Sequence, residues 1–208
     1  MSVESKKKTK GEIQDSIIKN TDYQIISFSS QEEFKNWQEL NNEKTNGIWI
    51  RFFKKDSGIK TIVYNEALDV ALCYGWIDGQ LKKGDEQSYL QKFTPRRSKS
   101  MWSKRNVEKV LRLEKEGNIK PSGWKAIESA KADGRWEISY DSASQMAVPD
   151  DFILEISKNK KAHNFFKTLN KTNLYTIGYR LQTAKNTEIR LKRIHAIIEK
   201  LEKEEKFH

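Results

Sequence analysis

Apolar and polar residues alternate along several short segments in the first half of the chain. Alternation with a period of two is typical of strands that bury one face. The segments are residues 47–54, 61–64, 76–81 and 89–93. We therefore predict four strands, the last two of which are joined by a polar turn around Gly84 and Asp85.

Apolar residues at helical spacing follow residues that favour helix starts. Ser29 and Ser30 precede two acidic residues and a stripe that begins at Phe34, which predicts a helix with a serine cap. Asn65 is predicted to cap a second helix. From Ser103 onward helical spacing replaces alternation, with Ser103 as a cap and Pro121 in the first turn of the following helix.

These elements predict an α+β fold with two structured parts. Residues 21–140 form a small, mainly antiparallel sheet with helices packed on it, and residues 149–208 form a helical C-terminal subdomain. Residues 1–20 are basic and lack apolar periodicity, so we predict a disordered N-terminus. Because roughly sixty residues hold a small core, we expect the C-terminal subdomain to dock on the first part.

Composition narrows the class of protein. The chain has 208 residues and a formal net charge of +10, with one cysteine. A single cysteine excludes a disulfide framework and a thiolate metal cluster. No stretch approaches the roughly 18 apolar residues of a membrane span. Because the N-terminus also has no apolar core of a signal peptide, we expect a cytoplasmic protein.

Positive charge is concentrated between residues 92 and 105. This stretch contains six basic residues and no acidic one. A field of one sign attracts phosphate, nucleic acid or another anionic surface. The alternative is a solvated face whose charges are partly neutralised by acidic residues from elsewhere in the fold. The run itself predicts neither a groove nor specificity.

Two segments carry the most unusual patterns, A-L-C-Y-G-W-I-D-G at 71–79 and F-T-P-R-R-S-K-S-M-W-S-K-R-N at 93–106. Trp76 and Asp78 share one strand face, and an arginine returning beside them would complete a polar pocket with aromatic walls. Such a pocket suits a planar or anionic ligand. The predicted ligand-binding residues are Trp76, Asp78, Arg96, Arg97, Ser100, Trp102, Ser103 and Asn106. The alternative is a structural bridge between Asp78 and the arginines, with the tryptophans in the core.

The same segments resemble the bacteriocin-protection, YdeI or OmpD-associated family. The resemblance continues through residues 130–136, 148–151 and 183–194 and covers nearly everything from about Ser30 onward. The family name describes protection phenotypes, so the resemblance implies a protective role and no established reaction.

The sequence predicts no catalytic constellation, metal site or cofactor. Cys73 lies in an apolar helix and is predicted to be a packed thiol. The histidines, at positions 163, 195 and 208, are far from it along the chain. No grouping has metal-ligand spacing, and no glycine-rich phosphate loop is present.

Three functions remain open at this point. The first is a non-catalytic stress-protection protein whose pocket binds a small anionic ligand or a partner segment. The second is an enzyme that uses Asp78 as acid or base, with arginines holding an anion. The third is a nucleic-acid-binding protein that uses residues 92–105 and the basic last helix. The sequence predicts neither the oligomeric state nor the identity of a ligand.

Overall fold

The computed structural model describes residues 23–208, so the predicted disordered segment 1–20 lies outside the described residues. The first part contains β1 (Ile25–Ser27), α1 (Gln31–Asn41), β2 (Ile48–Phe53), α2 (Tyr64–Cys73), β3 (Trp76–Lys83), β4 (Ser88–Pro95), α3 (Lys104–Lys115) and α4 (Pro121–Ala132). The second part contains α5 (Asp150–Ser157), α6 (Lys160–Phe166), α7 (Lys171–Gln182) and α8 (Thr187–Glu202). This is the predicted α+β architecture with a helical C-terminal part.

The four strands form one sheet in the order β1-β2-β4-β3. The pairs β2–β4 and β3–β4 are antiparallel, whereas β1 pairs with β2 in parallel. The sheet is therefore mainly antiparallel, as predicted. The register of β3 against β4 shifts between Asp78 and Leu81, so a bulge lies around Gly79.

One predicted strand, residues 61–64, is wrong. This segment is irregular and leads into α2, which starts at Tyr64 with Val63 as its N-cap instead of Asn65. The backbone N–H of Val63 donates to the Glu66 carboxylate at 3.1 Å, which satisfies one of the free amides of the helix start. Alternation arises here because Ile62 is buried in the core while Val63 faces solvent.

The first hydrophobic core lies between the sheet and helices α1–α4. Phe34 of α1, Leu72 of α2 and Ile127 of α4 meet Ile50 and Phe93 of the strands in one buried cluster. The serine caps predicted for α1 and α3 are confirmed, since the side chains of Ser30 and Ser103 accept backbone N–H groups three residues ahead.

The C-terminal helices enclose a separate core. Its buried residues are Phe152, Ile156, Ala162, Leu169, Ile177, Leu181, Ile194, Ile197 and Leu201. Contacts between the two parts include an aromatic pair, Tyr140 and Tyr179, whose ring centroids are 4.8 Å apart. Beside it the side-chain amide of Gln182 bonds both the backbone N–H and the carboxylate of Asp141, at 3.0 and 2.7 Å. These contacts form the junction between the two parts of the fold, and the two hydrophobic cores remain separate across it.

No helix within residues 23–208 combines the length and the apolar character needed to cross a lipid bilayer.

Candidate functional site

A tight connection between α2 and β3 places the first site residue. Gly75 has a φ of +74°, and a Cβ atom there would lie 2.6 Å from the carbonyl oxygen of Ser122. Glycine therefore allows both the left-handed turn and the close approach of α4. Trp76 follows at the start of β3, where it is buried, and its indole N–H donates to the carbonyl oxygen of Asn42 at 3.2 Å.

Arg96 is held next to this tryptophan by the end of β4. Its backbone N–H donates to the carbonyl oxygen of Gly75 at 2.9 Å. Its guanidinium carbon lies 3.5 Å from the ring centroid of Trp102, and Nη1 donates to the carbonyl oxygen of Met101 at 3.2 Å. Nε is buried without a hydrogen-bond partner in the described part of the chain.

The electrostatic surroundings of Arg96 are unusual. Burial lowers the pKa of its guanidinium to about 10, and Tyr140 and Asp78 oppose that shift only in part. None of the ion pairs among residues 23–208 involves Arg96. Arginine stays protonated near neutral pH at such a pKa, so the core edge carries a positive charge that no carboxylate within residues 23–208 pairs.

An open cleft of about 420 Å³ adjoins Arg96, and we call it the Arg96 cleft. Five of the predicted ligand-binding residues line it, namely Trp76, Arg96, Arg97, Ser100 and Trp102. The other lining residues are Asn42, Glu43, Thr45, Asn46, Tyr74, Gly75, Pro95, Ser98, Ser122, Lys125, Ala126, Ser129 and Arg135. Three walls thus come from the end of α1, the loop after β4, and α4.

Arg135, which the sequence analysis did not single out, contrasts with Arg96. Its side chain is buried and forms an ion pair with Asp133, with Nε 2.7 Å from Oδ1. Nη1 donates to the carbonyl oxygen of Ser100 at 2.7 Å, and Nη2 donates to Ser129 at 3.2 Å. Because its donors are engaged within the protein, Arg135 supports the loop that carries Ser100.

Asp78 lies outside the cleft. Its carboxylate accepts a hydrogen bond from the Tyr64 hydroxyl at 2.8 Å, and it forms no ion pair with Arg96 or Arg97 among the described residues. Burial and the nearby Asp78 raise the pKa of Tyr64. Asp78 is opposite Phe93 in the sheet, three residues before Arg96, and three strand residues span about 10 Å. This spacing leaves the two side chains outside ion-pair distance, although the charge of Asp78 still raises the pKa of Arg96.

Ser103 and Asn106 also do not line the cleft. Ser103 caps α3 by accepting the backbone N–H of Asn106 at 3.2 Å, and Asn106 is buried. The backbone N–H of Lys104 donates to the carbonyl oxygen of Tyr140 at 2.8 Å. Two of the first amides of this helix are therefore already occupied within the protein.

Part of the Arg96 cleft was not predicted from the sequence, namely the lining contributed by Asn42, Glu43 and Lys125. Asn42 and Glu43 follow α1, and Lys125 lies in α4, so they are far apart along the chain. No local pattern marks them, because only the packing of α1 and α4 around Trp76 brings them to the cleft.

Cys73 is buried in the first core, as predicted. Burial raises the pKa of its thiol to about 11, and the nearby Asp69 adds to this effect. The thiol is therefore protonated near neutral pH, the opposite of what a nucleophile requires.

Two family models match the chain. Residues 26–126 match a Domain of unknown function (DUF8412), and residues 145–204 match the family described as Bacteriocin-protection, YdeI or OmpD-Associated. Neither a curated protein nor a solved structure gives a significant match.

The two matches divide between the two parts of the fold. The motifs at 71–79 and 93–106 fall in the first match, so most of the Arg96 cleft belongs to the domain of unknown function. The bacteriocin-protection match is shorter than the resemblance predicted and covers the helical part. Within residues 145–204 the predicted resemblance to the bacteriocin-protection, YdeI or OmpD-associated family is confirmed by this match.

Proposed function

We propose that this protein binds a small anionic ligand in the Arg96 cleft and acts through binding, without catalysis. The observation that carries the proposal is the Arg96 guanidinium, which is largely buried on Trp102 and has no carboxylate partner among residues 23–208. A buried charge without a partner costs folding free energy. An anion in the cleft would supply the missing partner.

The rest of the cleft supports the same charge preference. Arg97 and Lys125 line it and are exposed, and neither forms an ion pair in the described chain. Glu43 is the carboxylate among the lining residues. Several serine hydroxyls, including Ser98 and Ser122, add donors that can rotate toward an anion.

The tryptophans act differently from the predicted aromatic walls. Trp76 and Trp102 are each 1% exposed, and the guanidinium of Arg96 lies against the Trp102 ring. A ligand would therefore meet the guanidinium and not a bare indole face. The tryptophans stabilise the position of the cation that binds.

The geometry favours binding over the two alternatives. The carboxylate proposed as acid or base, Asp78, is bonded to Tyr64 outside the cleft. Two residues of the basic run at 92–105 are engaged by neighbouring side chains, since Lys92 lies over the Tyr23 ring and Arg105 donates to Asn65. Neither alternative gains a specific observation.

The test is a thermal shift with phosphate, sulfate and dicarboxylates, each compared with chloride at equal ionic strength. We expect at least one anion to raise the Tm of the wild type, because a ligand that binds only the native state stabilises it by mass action. Arg96→Met and Arg97→Gln should reduce that shift. Lys99→Gln is the matched control, because Lys99 lies in the same loop, is exposed and does not line the cleft.

Arg96→Met also separates a binding role from a structural one. No acidic residue loses an ion pair on this change, so the free energy of unfolding should stay within about 1 kcal/mol of wild type. A wild type whose Tm responds to no anion, or an Arg96→Met protein that is destabilised by more than about 3 kcal/mol, contradicts the proposal.

A further inference from the structure

The Arg96 cleft has two chemically different sides. Arg96 and Arg97 lie on the loop after β4, whereas Asn42 and Glu43 lie at the end of α1. Trp76 connects the two sides, because its indole N–H bonds the carbonyl oxygen of Asn42 and the preceding residue, Gly75, bonds the backbone N–H of Arg96. The loop after β4 thus contributes cations to the lining, and the end of α1 contributes acceptors.

The acceptor side contains an unpaired dipole. The Oδ1 atom of Asn42 is buried without a hydrogen-bond partner among the described residues. Its amide cannot turn over to correct this, because Nδ2 donates to the carbonyl oxygen of Gln38 at 2.7 Å. A flipped amide would place two oxygens against each other. Because no donor within residues 23–208 bonds this oxygen, its dipole adds a negative potential at the end of α1.

A carboxylate adds to the same potential. Glu43 follows Asn42 directly, lines the cleft and is exposed. It forms no ion pair within residues 23–208. An anionic ligand that placed only negative or acceptor groups in the cleft would meet repulsion on this side.

We infer that the ligand is an anion that also carries an amino group, so that its anionic group faces Arg96 and Arg97 while its ammonium faces Asn42 and Glu43. This inference rests on the proposed anion binding and names its ligand class. A cleft of about 420 Å³ accommodates a molecule the size of an amino acid or a dipeptide.

The test compares aspartate with succinate, two dicarboxylates that differ by one amino group. Net charge alone favours succinate in a basic cleft, because succinate carries two negative charges and aspartate a net charge of one. The inference predicts the opposite order, with aspartate binding about fivefold tighter by isothermal titration calorimetry on the full chain. Glutamate and glutarate provide a second matched pair.

Substitutions at Asn42 and Glu43 test whether the acceptor side causes the preference for aspartate over succinate. The Glu43→Gln, Asn42→Leu double variant should bring the aspartate and succinate affinities to within about twofold of each other. Glu86→Gln is the matched control, because Glu86 is exposed and lies in the turn between β3 and β4, away from the cleft. Circular dichroism establishes that each variant is folded.

The outcomes separate this inference from the proposed function. A wild type that binds succinate as tightly as aspartate overturns the inference and leaves anion binding intact. A Glu43→Gln, Asn42→Leu double variant that keeps the full preference for aspartate also overturns it. If no dicarboxylate, amino acid or inorganic anion binds, the proposed function itself fails.

Discussion

Burial disfavours the charged form of two side chains at the edge of the first core, with different consequences. The pKa of Arg96 falls to about 10, yet the group remains charged near neutral pH. The pKa of Cys73 rises to about 11, and the group remains neutral. Arg96 therefore carries a charge that a bound anion would stabilise, whereas Cys73 behaves as a small apolar residue.

Cys73 should contribute packing and no chemistry. We expect Cys73→Ala to leave anion binding unchanged and to lower the free energy of unfolding by about 1 kcal/mol at neutral pH, through the small cavity it creates. Urea unfolding of both proteins measures this difference. Rapid labelling of the native thiol near pH 8 would contradict a buried, protonated sulfur.

Because the pKa of Cys73 is raised, the difference in unfolding free energy between wild type and Cys73→Ala should also depend on pH. The unfolded thiol loses its proton above its ordinary pKa of 9.0, whereas the folded thiol keeps its proton up to about pH 11. The stabilisation that the protonated thiol contributes is fully present below pH 9.0 and is lost as the pH rises toward 11. The free energy of unfolding should therefore fall less steeply in Cys73→Ala over this range than in wild type.

At the scale of the elements, the contact between α2 and α4 builds one wall of the cleft. A Cβ atom on Gly123 would overlap the carbonyl oxygen of Cys73, the last residue of α2. Backbone of α4 can therefore approach the end of α2 only with glycine at this position. The approach brings Ser122 and Lys125 to the Arg96 cleft.

Gly123→Ala should separate the two helices. We expect a loss of about 2–3 kcal/mol in the free energy of unfolding, because the neighbouring atom is backbone and cannot rotate away. Gly117→Ala is a useful comparison, since a Cβ atom there meets open space and the cost of about 1–2 kcal/mol comes from its φ of +71° alone.

The anion response distinguishes these two glycine variants. Gly123→Ala should also weaken anion binding, since it displaces one wall of the cleft, whereas Gly117→Ala should not. Thermal shift with the best anion measures both effects. A Gly123→Ala protein as stable as wild type would show that α4 does not need this contact.

In the whole molecule, a small set of polar contacts at Asp141 connects the two parts of the fold. Gln182 bonds Asp141 twice, and Lys104 of α3 forms an ion pair with the same carboxylate at 2.7 Å. The pKa of Asp141 is lowered, chiefly by Lys104 and also by Gln182. These contacts therefore connect α3 of the first part with α7 of the C-terminal subdomain.

Gln182→Ala should loosen the C-terminal subdomain without unfolding the first core. We expect a cost of about 1–2 kcal/mol, because the backbone N–H of Asp141 loses its acceptor. Hydrogen exchange should speed up at the amides of Ile194 and Ile197 while that of Ile50 is unchanged. Equal loss of protection in both cores would instead show that they unfold as one unit.

Features that depend on neighbouring residues could be predicted from the sequence alone. Caps at Ser30 and Ser103, the strand at 76–81 and the last helix follow from local hydrogen bonding and from apolar periodicity, which act over a few residues. The α+β class follows from the order of these elements. β1 escaped prediction because three residues are too few to show alternation.

Contacts between residues far apart in the chain depend on how the elements pack. Asp78 bonds Tyr64 and forms no ion pair with Arg96 within residues 23–208, although both belong to the predicted pocket. Packing of α1 and α4 around Trp76 brings Asn42 and Lys125 to the cleft. Burial, charge pairing and cleft shape are sums over residues far apart in the chain, so no local pattern contains them.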